Sequence, residues 1–259
     1  MNFFQQLVSR KKMRLEIDKS KISLDQIKEM STNEFVIRNF YKAIQPRRNA
    51  AISMIGDLKG VALPVTDNKL KVVPVTSAIN FQSAKVQAIA VNPDEFKHMP
   101  NFSVDKIRRS TSIPILSTEL IVEEYQIYRA LLEGFDAIRI FSANHSFTEV
   151  GRLIELANTL NLSVVFECVS KGDIDKATQA GAKILNIRNI PIKLSTTPIA
   201  NSILLKKFIP NTVTSISHGN IRNNSQVRQL EELNYDCIML DDFIIRQFDI
   251  AGAIKDLLK

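Results

Sequence analysis

The sequence predicts an α/β protein in which eight parallel strands close into a (βα)8 barrel, with a helical extension before the first strand. From Ala50 onward, short β-branched runs alternate with helical patterns, which is the arrangement of βα units. Several of these runs are too apolar for half-exposed strands and suit strands covered on both faces. At 259 residues, the chain is long enough for one large domain of this kind.

Eight strands are predicted, each followed by a helical or loop segment that leads to the next. In chain order they are Ile52–Leu58, Val86–Val91, Ile113–Ser117, Ala137–Phe141, Ser163–Cys168, Ile184–Ile187, Thr212–Ser217 and Cys237–Leu240. Strands of this length, separated by helix-length segments, favour a parallel sheet over a sandwich of hairpins.

A weak internal repeat leads into every second strand and supports closure of the sheet. The repeated segments are Lys85-Val-Gln-Ala-Ile, Gly134-Phe-Asp-Ala-Ile, Gly181-Ala-Lys-Ile-Leu and Asn234-Tyr-Asp-Cys-Ile. Their starts are 49, 47 and 53 residues apart, so each interval holds two βα units. Gly or Asn at three of the four starts suits the left-handed residue that ends a helix. Four such pairs predict a TIM barrel.

Residues 1–49 do not fit the repeat and are predicted to form a helical extension on a barrel domain of residues 50–259. Helices are expected at Phe3–Arg14 and Leu24–Met30, with a third, capped by Thr32 or Asn33, running to about Ile44. The extension either covers one end of the barrel or acts as a lid over substrate. The residues alone leave both interpretations open.

The apolar runs and the cysteines indicate where in the cell the protein is expected. No apolar run approaches the roughly 18 residues needed to span a bilayer, and Met1–Lys12 is typical of an amphipathic helix rather than a signal peptide. Cys168 and Cys237 lie in apolar runs without metal-ligand spacing, which favours reduced thiols in the core. We therefore expect a cytoplasmic protein.

The net charge of +7 is compatible with an anionic small-molecule substrate. Because the lysines and arginines are mostly scattered, much of this charge is expected to be a solvated surface, and neither nucleic acid nor a membrane is an expected partner. There is no glycine-rich nucleotide loop and no two-histidine-plus-carboxylate spacing, so we expect no cofactor and no metal.

Charged residues at predicted strand ends form the candidate site. Asp57 and Lys59 are two residues apart, as are Asn186 and Arg188, so each pair points to one side of its strand and can converge at the barrel mouth. Glu167 ends an apolar strand, where an unpaired carboxylate is costly. These groups could handle protons on an anionic substrate. A structural layer of paired charges is the alternative.

Two further strand ends carry polar residues. His218 precedes Gly219 and either acts in proton transfer, because imidazole titrates near neutrality, or is a hydrogen-bonded structural residue. Asp241 and Asp242 follow the eighth strand and either bind a cation or form a charge pair at a helix N-terminus.

The chain resembles the indole-3-glycerol phosphate synthase family of tryptophan biosynthesis over nearly its whole length. The most specific match is Ile113-Pro-Ile-Leu with Ile121-Val-Glu-Glu-Tyr-Gln-Ile-Tyr128, which is similar to the family's L-P-V-L-R-K-D-F-I-I-D-E-Y-Q-I-Y. Ile55-Gly-Asp-Leu-Lys59 resembles I-A-E-V-K, Phe166-Glu167 resembles V-E, Leu185-Asn-Ile-Arg-Asn-Ile190 resembles I-N-x-R-D-L, and Ser217-His-Gly219 resembles E-S-G.

The resemblance implies a cofactor-free carboxy-lyase that converts 1-(2-carboxyphenylamino)-1-deoxyribulose 5-phosphate to indole-3-glycerol phosphate, carbon dioxide and water. It places Lys59 at the first-strand lysine, Glu167 at the general base and Asn186 at the amide that orients substrate. Arg188 and Gly219 fall on the phosphate side. Association with other enzymes of tryptophan biosynthesis is left open.

The chain departs from the family pattern at several of these positions. The third-strand lysine, the family's general acid, is Thr118, and the first-strand glutamate is Asp57. His218 stands at the seventh-strand serine, and Asp241 with Asp242 replaces the Gly-Ser that holds phosphate. Two carboxylates would repel a phosphate dianion. The alternatives are therefore a barrel that acts on a substrate without phosphate and one that has lost the activity and serves in binding or regulation.

Overall fold

The structure, a computed structural model, describes residues 3–31, 36–46, 51–58, 74–96, 102–190 and 197–259, with the backbone only for Phe3, Ala143 and Asp242. Eight strands pair in chain order, all parallel, and the first pairs with the eighth to close a barrel. They are β1 Ser53–Leu58, β2 Ala88–Val91, β3 Ile115–Ser117, β4 Ala137–Phe141, β5 Ser163–Cys168, β6 Ile184–Arg188, β7 Thr214–His218 and β8 Cys237–Leu240. The predicted (βα)8 TIM barrel is confirmed.

Thirteen α-helices lie within the described residues. They are α1 Phe3–Lys21, α2 Leu24–Met30, α3 Phe40–Ala43, α4 Pro74–Ser83, α5 Pro93–Phe96, α6 Val104–Ser110, α7 Tyr125–Glu133, α8 Phe147–Thr159, α9 Lys171–Gln179, α10 Ala200–Leu205, α11 Asn224–Glu232, α12 Asp242–Ile245 and α13 Ile250–Leu257. The outward side of the strands packs against the barrel helices in one large apolar layer.

The strand bounds agree closely with the prediction, and β4, β5 and β8 match it at both ends. The sixth and seventh strands run one residue further than predicted, to Arg188 and His218, which face each other in the ladder. Both residues are therefore held by strand pairing rather than carried on loops.

The repeated segments all begin with a residue in the left-handed conformation. The φ angles are 62° at Lys85, 88° at Gly134, 86° at Gly181 and 58° at Asn234. Gly or Asn was expected in this role, and Lys85 adopts it without being either residue. The repeat therefore reflects a shared backbone turn at the entrance to β2, β4, β6 and β8.

Side chains alternate along each strand between the barrel interior and the helix layer. In β1, Ile55 points inward, whereas Met54 and Leu58 belong to the outer layer. The strand residues of the inner core are Ile55, Ala88, Ala90, Leu116, Ala137, Val165, Ile184, Ile216, Cys237 and Met239. Apolar side chains from all eight strands thus fill the middle of the interior.

The segment before β1 covers the amino-terminal end of the barrel. Phe40 and Ile44 are fully buried in the inner core. Before α3, the N–H of Arg38 donates to the carboxylate of Asp136 at 2.7 Å. The predicted third helix is therefore too long, because Val36 and Arg38 form hydrogen bonds with the barrel and α3 begins only after its cap at Asn39. Thr32 and Asn33, the predicted caps, lie outside the described residues.

The first helix lies near the carboxyl ends of β2, β3 and β4. Lys11 forms ion pairs with Asp94, at 2.5 Å, and with Glu119, and Asp18 pairs with Arg129 at 2.7 Å. Because these pairs fix its second half to the barrel, α1 continues to Lys21 rather than ending at Arg14 as predicted. The extension thus contacts both ends of the barrel.

Two smaller predictions concern the core and the membrane. Cys168 and Cys237 are buried free thiols, as predicted, and burial raises the pKa of both. Among the helices that the structure describes, none is long and apolar enough to cross a membrane.

Truncation of the buried aromatic ring below the barrel tests the role of the amino-terminal cover. Phe40→Ala should lower the free energy of unfolding by about 3–5 kcal/mol, because it leaves a cavity in the inner core. Val36→Ala removes a side chain that is 90% exposed, so it should change stability by less than about 0.5 kcal/mol. Chemical denaturation of both variants gives the comparison. An equally small effect of both would contradict the packing described for Phe40.

Candidate active site at the carboxyl end of the barrel

Four of the predicted site residues meet inside the mouth of the barrel. Asp57, Glu167, Asn186 and His218 are each at most 5% exposed. Each of the four stands two positions after an inward apolar residue on the same strand, so strand alternation directs all of them inward. Lys59 lies outside the described residues.

Glu167 is the centre of the cluster, and one of its oxygens, Oε2, has several partners. Nη1 of Arg139 donates to it at 2.8 Å, and Nδ2 of Asn186 lies at 3.5 Å. Nη1 of Arg188 lies 3.6 Å from the same oxygen. Because Arg139 donates to this oxygen and Arg188 lies beside it, the side chain of Glu167 is held in one position.

The ring of His218 lies between two carboxylates. Its Nε2 is 4.0 Å from Oδ2 of Asp57, and its Nδ1 is 3.9 Å from Oε2 of Glu167. Nδ2 of Asn186 lies 3.1 Å from Nδ1. The direction of this contact depends on the tautomer of the ring: Nδ1 accepts from the amide in the neutral form that carries its proton on Nε2, the atom that faces Asp57.

Arg139 is a site residue that the sequence analysis missed. It is the inward residue at the centre of β4, it is 8% exposed, and its guanidinium carbon lies 4.5 Å from the ring centroid of Phe141. The available signal was an arginine between apolar residues in Ala137-Ile-Arg-Ile-Phe141, since buried strands rarely carry an unpaired charge. Its partner Glu167 comes from the adjacent strand β5.

Thr118 follows β3 directly and is buried at the same end of the barrel. Its N–H pairs with the carbonyl of Val91, and its own carbonyl accepts a hydrogen bond from Nη2 of Arg139 at 2.5 Å. The threonine side chain has no group that titrates near neutrality. The positive charge beside this position therefore comes from Arg139, on the next strand.

The turn after β7 is bound internally to the end of β8. Gly219 has a φ of 81°, and its N–H pairs with the carbonyl of Met239. The next N–H, of Asn220, donates to Oδ2 of Asp241 at 2.9 Å. Both backbone donors of this turn are therefore engaged within the chain, and a phosphate group would have to compete with the carboxylate of Asp241.

Asp241 also forms a pair with Arg222, at 2.5 Å between Oδ1 and Nη1, and accepts from the N–H of Phe243 at 3.1 Å. Burial opposes ionisation of this carboxyl, but hydrogen bonds from Arg222, Asn220 and Phe243 outweigh it and lower the pKa of Asp241. The negative charge predicted at the end of β8 is thus present and offset by Arg222. The side chain of Asp242 is not among those described.

Two polar residues beside the cluster, Ser217 and Arg188, differ from it in direction or exposure. Ser217, beside His218, points toward the helix layer and forms hydrogen bonds with Ser202 and Asn189. Arg188 is the open member of the cluster, with a side chain that is 38% exposed. Within the described ranges, His, Cys, Asp and Glu side chains form no group of three that could hold a metal ion.

This arrangement can perform proton transfer on an anionic molecule. A fixed carboxylate and an imidazole ring, within 4 Å of each other, provide a base and a titratable partner. The guanidinium groups of Arg139 and Arg188 supply positive charge beside them. The oxygen Oδ1 of Asn186 is buried and has no hydrogen-bond partner among the described residues. A ligand donor could satisfy it.

The ionisation of Asp241 predicts a pH-dependent stability. Its pKa in the folded protein lies below the ordinary value of 3.8, so its contribution is complete above that pH and is lost as the pH falls through the folded value. Asp241→Asn should lower the free energy of unfolding at pH 7 by about 1–3 kcal/mol. The difference from wild type should shrink below about pH 4. Denaturation curves between pH 7 and pH 3 measure it.

The matched control is Asp175→Asn, which removes a carboxylate from an exposed ion pair with Lys171. It should change stability by less than about 0.5 kcal/mol. A difference between wild type and Asp241→Asn that stays constant over the whole pH range would show that the charge of Asp241 is not the source of the effect.

Solved structures with the same fold belong to several kinds of protein. The chain is similar to 3-hexulose-6-phosphate synthase from Salmonella typhimurium, with a TM-score of 0.61, 16% identity and coverage of 80% of this chain and 97% of that one. It is similar also to thiamine phosphate pyrophosphorylase from Pyrococcus furiosus, with a TM-score of 0.57, 15% identity and coverage of 80% and 93%. At this identity the likeness supports the barrel fold alone.

Sequence comparison is more specific. The family model described as indole-3-glycerol phosphate synthase matches residues 4–257. Curated relatives named indole-3-glycerol phosphate synthase include one from Campylobacter jejuni, 28% identical over 243 residues with 93% of each chain covered, and one from Acetivibrio thermocellus, 26% identical over 255 residues with 97% of each covered. With the family match spanning nearly the whole barrel and its extension, the chain belongs to the indole-3-glycerol phosphate synthase family.

Proposed function

We propose that this protein is a carboxy-lyase that forms indole-3-glycerol phosphate from 1-(2-carboxyphenylamino)-1-deoxyribulose 5-phosphate, releasing carbon dioxide and water. The observation that supports this most is the convergence of Glu167, Asn186, His218 and Asp57 in a buried mouth of a family barrel. The reaction needs no cofactor. It would take place in the cytoplasm as a step of tryptophan biosynthesis.

In this proposal Glu167 is the base. Ring closure joins a carbon of the aromatic ring to the ribulose carbonyl carbon, and the carboxyl group then leaves as carbon dioxide. Dehydration removes the resulting hydroxyl as water and a proton from the neighbouring carbon. Glu167 accepts that proton, and its fixed position supports the role because proton transfer requires a heavy-atom distance of about 3 Å. Asn186, which contacts Glu167 and His218, orients the substrate.

His218 is the proposed proton donor. Thr118 cannot supply the proton that the carbonyl oxygen must gain in ring closure. An imidazolium at this position would lie between the carboxylates of Asp57 and Glu167, which is electrostatically favourable. Histidine is also the side chain type that ordinarily exchanges a proton near neutrality. Donation of a ring proton to the developing alkoxide would leave the ring neutral.

Positive charge at the mouth accounts for the anionic substrate. Lys59 is proposed to polarise the carbonyl or the carboxylate, and Arg188 to contact the phosphate group from its partly exposed position. Gly219 lines the same side, although its N–H is already paired within the sheet. The proposed partner is therefore a small anionic molecule rather than nucleic acid or a membrane.

A second candidate is a barrel that binds or converts a related molecule without phosphate. It is favoured by Asp241, whose carboxylate already accepts the N–H groups of Asn220 and Phe243 and the guanidinium of Arg222. An internal carboxylate held in this way resembles a bound anion. Assays with the phosphorylated substrate and with its dephosphorylated form distinguish the candidates, because only the second candidate predicts a preference for the latter.

The lyase assay is the direct test, with release of indole-3-glycerol phosphate as the readout. Wild type should show turnover, and Glu167→Gln and Lys59→Ala should each lower it by roughly two to four orders of magnitude, the usual contribution of a positioned proton-transfer group. Glu167→Gln retains an oxygen that accepts from Arg139, so folding should survive. No turnover by wild type would exclude the proposed reaction. Near-normal turnover by both variants would exclude the roles of Glu167 and Lys59.

The role of His218 is tested by the pH profile of turnover. His218→Ala should lower kcat about 100-fold or more and remove one ionisation from the profile. His218→Gln keeps a polar side chain that cannot titrate, so it should lose activity to the same extent. Recovery of activity in the glutamine variant, with the profile unchanged, would assign the histidine a structural role only.

A further inference from the structure

Arg139 carries a charge that the proposed chemistry has not yet used. It is the inward residue at the centre of β4, where its neighbours along the strand are Ile138 and Ile140. An arginine at such a position loses most of its hydration, and burial of that kind is costly without strong partners. Arg139 therefore needs hydrogen-bond acceptors or anions around it at the barrel mouth.

The hydrogen bonds found among the described residues do not use all the N–H donors of the Arg139 guanidinium. Nη1 donates once to Glu167 and Nη2 once to the carbonyl of Thr118. Nε is buried and has no hydrogen-bond partner among the described residues. Since a guanidinium has five N–H donors, it retains capacity for another acceptor.

Charge on this side of the mouth points to the kind of acceptor. Arg139 and Arg188 both approach the single oxygen Oε2 of Glu167, at 2.8 Å and 3.6 Å. These three groups carry two positive charges and one negative charge, and the other carboxylate of the cluster, Asp57, lies across the ring of His218, 4.0 Å from its Nε2. A second carboxylate placed beside them would balance the charge, and a planar guanidinium is well suited to bind it.

We propose that Arg139 is a specificity-determining residue that binds the aromatic carboxylate of the substrate. This inference rests on the proposed function, which supplies a substrate with a carboxylate on its ring. The position next to it in space, Thr118, lacks a charge, and its carbonyl is bound to Arg139. A cation beside Thr118 is thus supplied from β4. The ring of Phe141 fixes the guanidinium plane from one side.

Binding of two unreactive probes tests the proposal separately from the reaction. The first is the substrate with its carbonyl reduced to an alcohol, and the second is the same molecule with phenyl in place of 2-carboxyphenyl. Wild type should bind the carboxylate probe about 10- to 100-fold more tightly than the phenyl probe, as expected for a charge-assisted pair. In Arg139→Leu this ratio should fall to about one. Calorimetric titration gives both constants.

Two further variants distinguish loss of carboxylate binding from loss of folding. Arg139→Leu with Thr118→Lys returns a cation to the end of β3 and should restore the ratio. Arg139→Lys keeps the charge that balances Glu167 but not the planar donor pair, so its ratio should fall by at least about threefold. The control is Arg109→Leu, which removes an arginine with an 80% exposed side chain and should leave the ratio unchanged.

The outcomes separate the two proposals. A wild type that binds neither probe would contradict the proposed function. Binding of both probes with a ratio near one in wild type, or a ratio that Arg139→Leu and Arg139→Lys leave unchanged, would overturn the role of Arg139 while the proposed function stands. Loss of the ratio in Arg139→Leu and its return with Thr118→Lys would support both.

Discussion

A closed barrel of eight parallel strands gives each strand one inward side, and the small interior must be filled along its whole length. Here apolar side chains fill the middle of the interior, and polar groups occupy the next inward positions toward the carboxyl ends of the strands. The change occurs in one step of two residues, as from Ile55 to Asp57 and from Val165 to Glu167. A shift of one residue in either strand would turn its carboxylate toward the apolar helix layer.

The buried charges at the mouth persist because they satisfy one another. Glu167 and Arg139 are both nearly inaccessible to water. Removal of Glu167 would leave Arg139 as an uncompensated buried charge, and removal of Arg139 would leave Glu167 with Arg188 at 3.6 Å. The same pairing restricts where the carboxylate can move. In the proposed mechanism, proton transfer by Glu167 would therefore take place within a network whose geometry exists before any ligand arrives, which is the arrangement that efficient catalysis requires.

Most of the fold could be predicted from the sequence, because hydrophobic periodicity and a repeated turn are local signals. The ends of β6 and β7 were missed by one residue, since Arg188 and His218 are polar and their pairing depends on the adjacent strand. The third helix was predicted too long for a related reason. Arg38 forms hydrogen bonds with Asp136 and Ile113 instead of helical ones. These partners are distant in sequence, so the local residue pattern does not reveal them.

The site could be predicted only in part, because its chemistry depends on pairs that are distant in sequence. Strand position indicated Glu167, Asn186 and His218, and the structure places all three together. Arg139 was missed although its isolation among apolar residues was visible, because its significance depends on the Glu167 partner. Likewise, the pairing of Asp241 with Arg222, which offsets its charge, is a contact between different loops.

The ion pairs of the first helix have a consequence for the entropy of ligand binding. Glu119 directly follows Thr118 and is held from one side by Lys11 of α1 and from the other by Arg129 of α7. The loop that borders the mouth after β3 is therefore immobilised by two separate helices in the free protein. A ligand that contacts this loop need not restrict its motion on arrival, so less of the interaction free energy is lost to ordering. The N-terminal extension thus orders the loop after β3, although the loop itself belongs to the barrel.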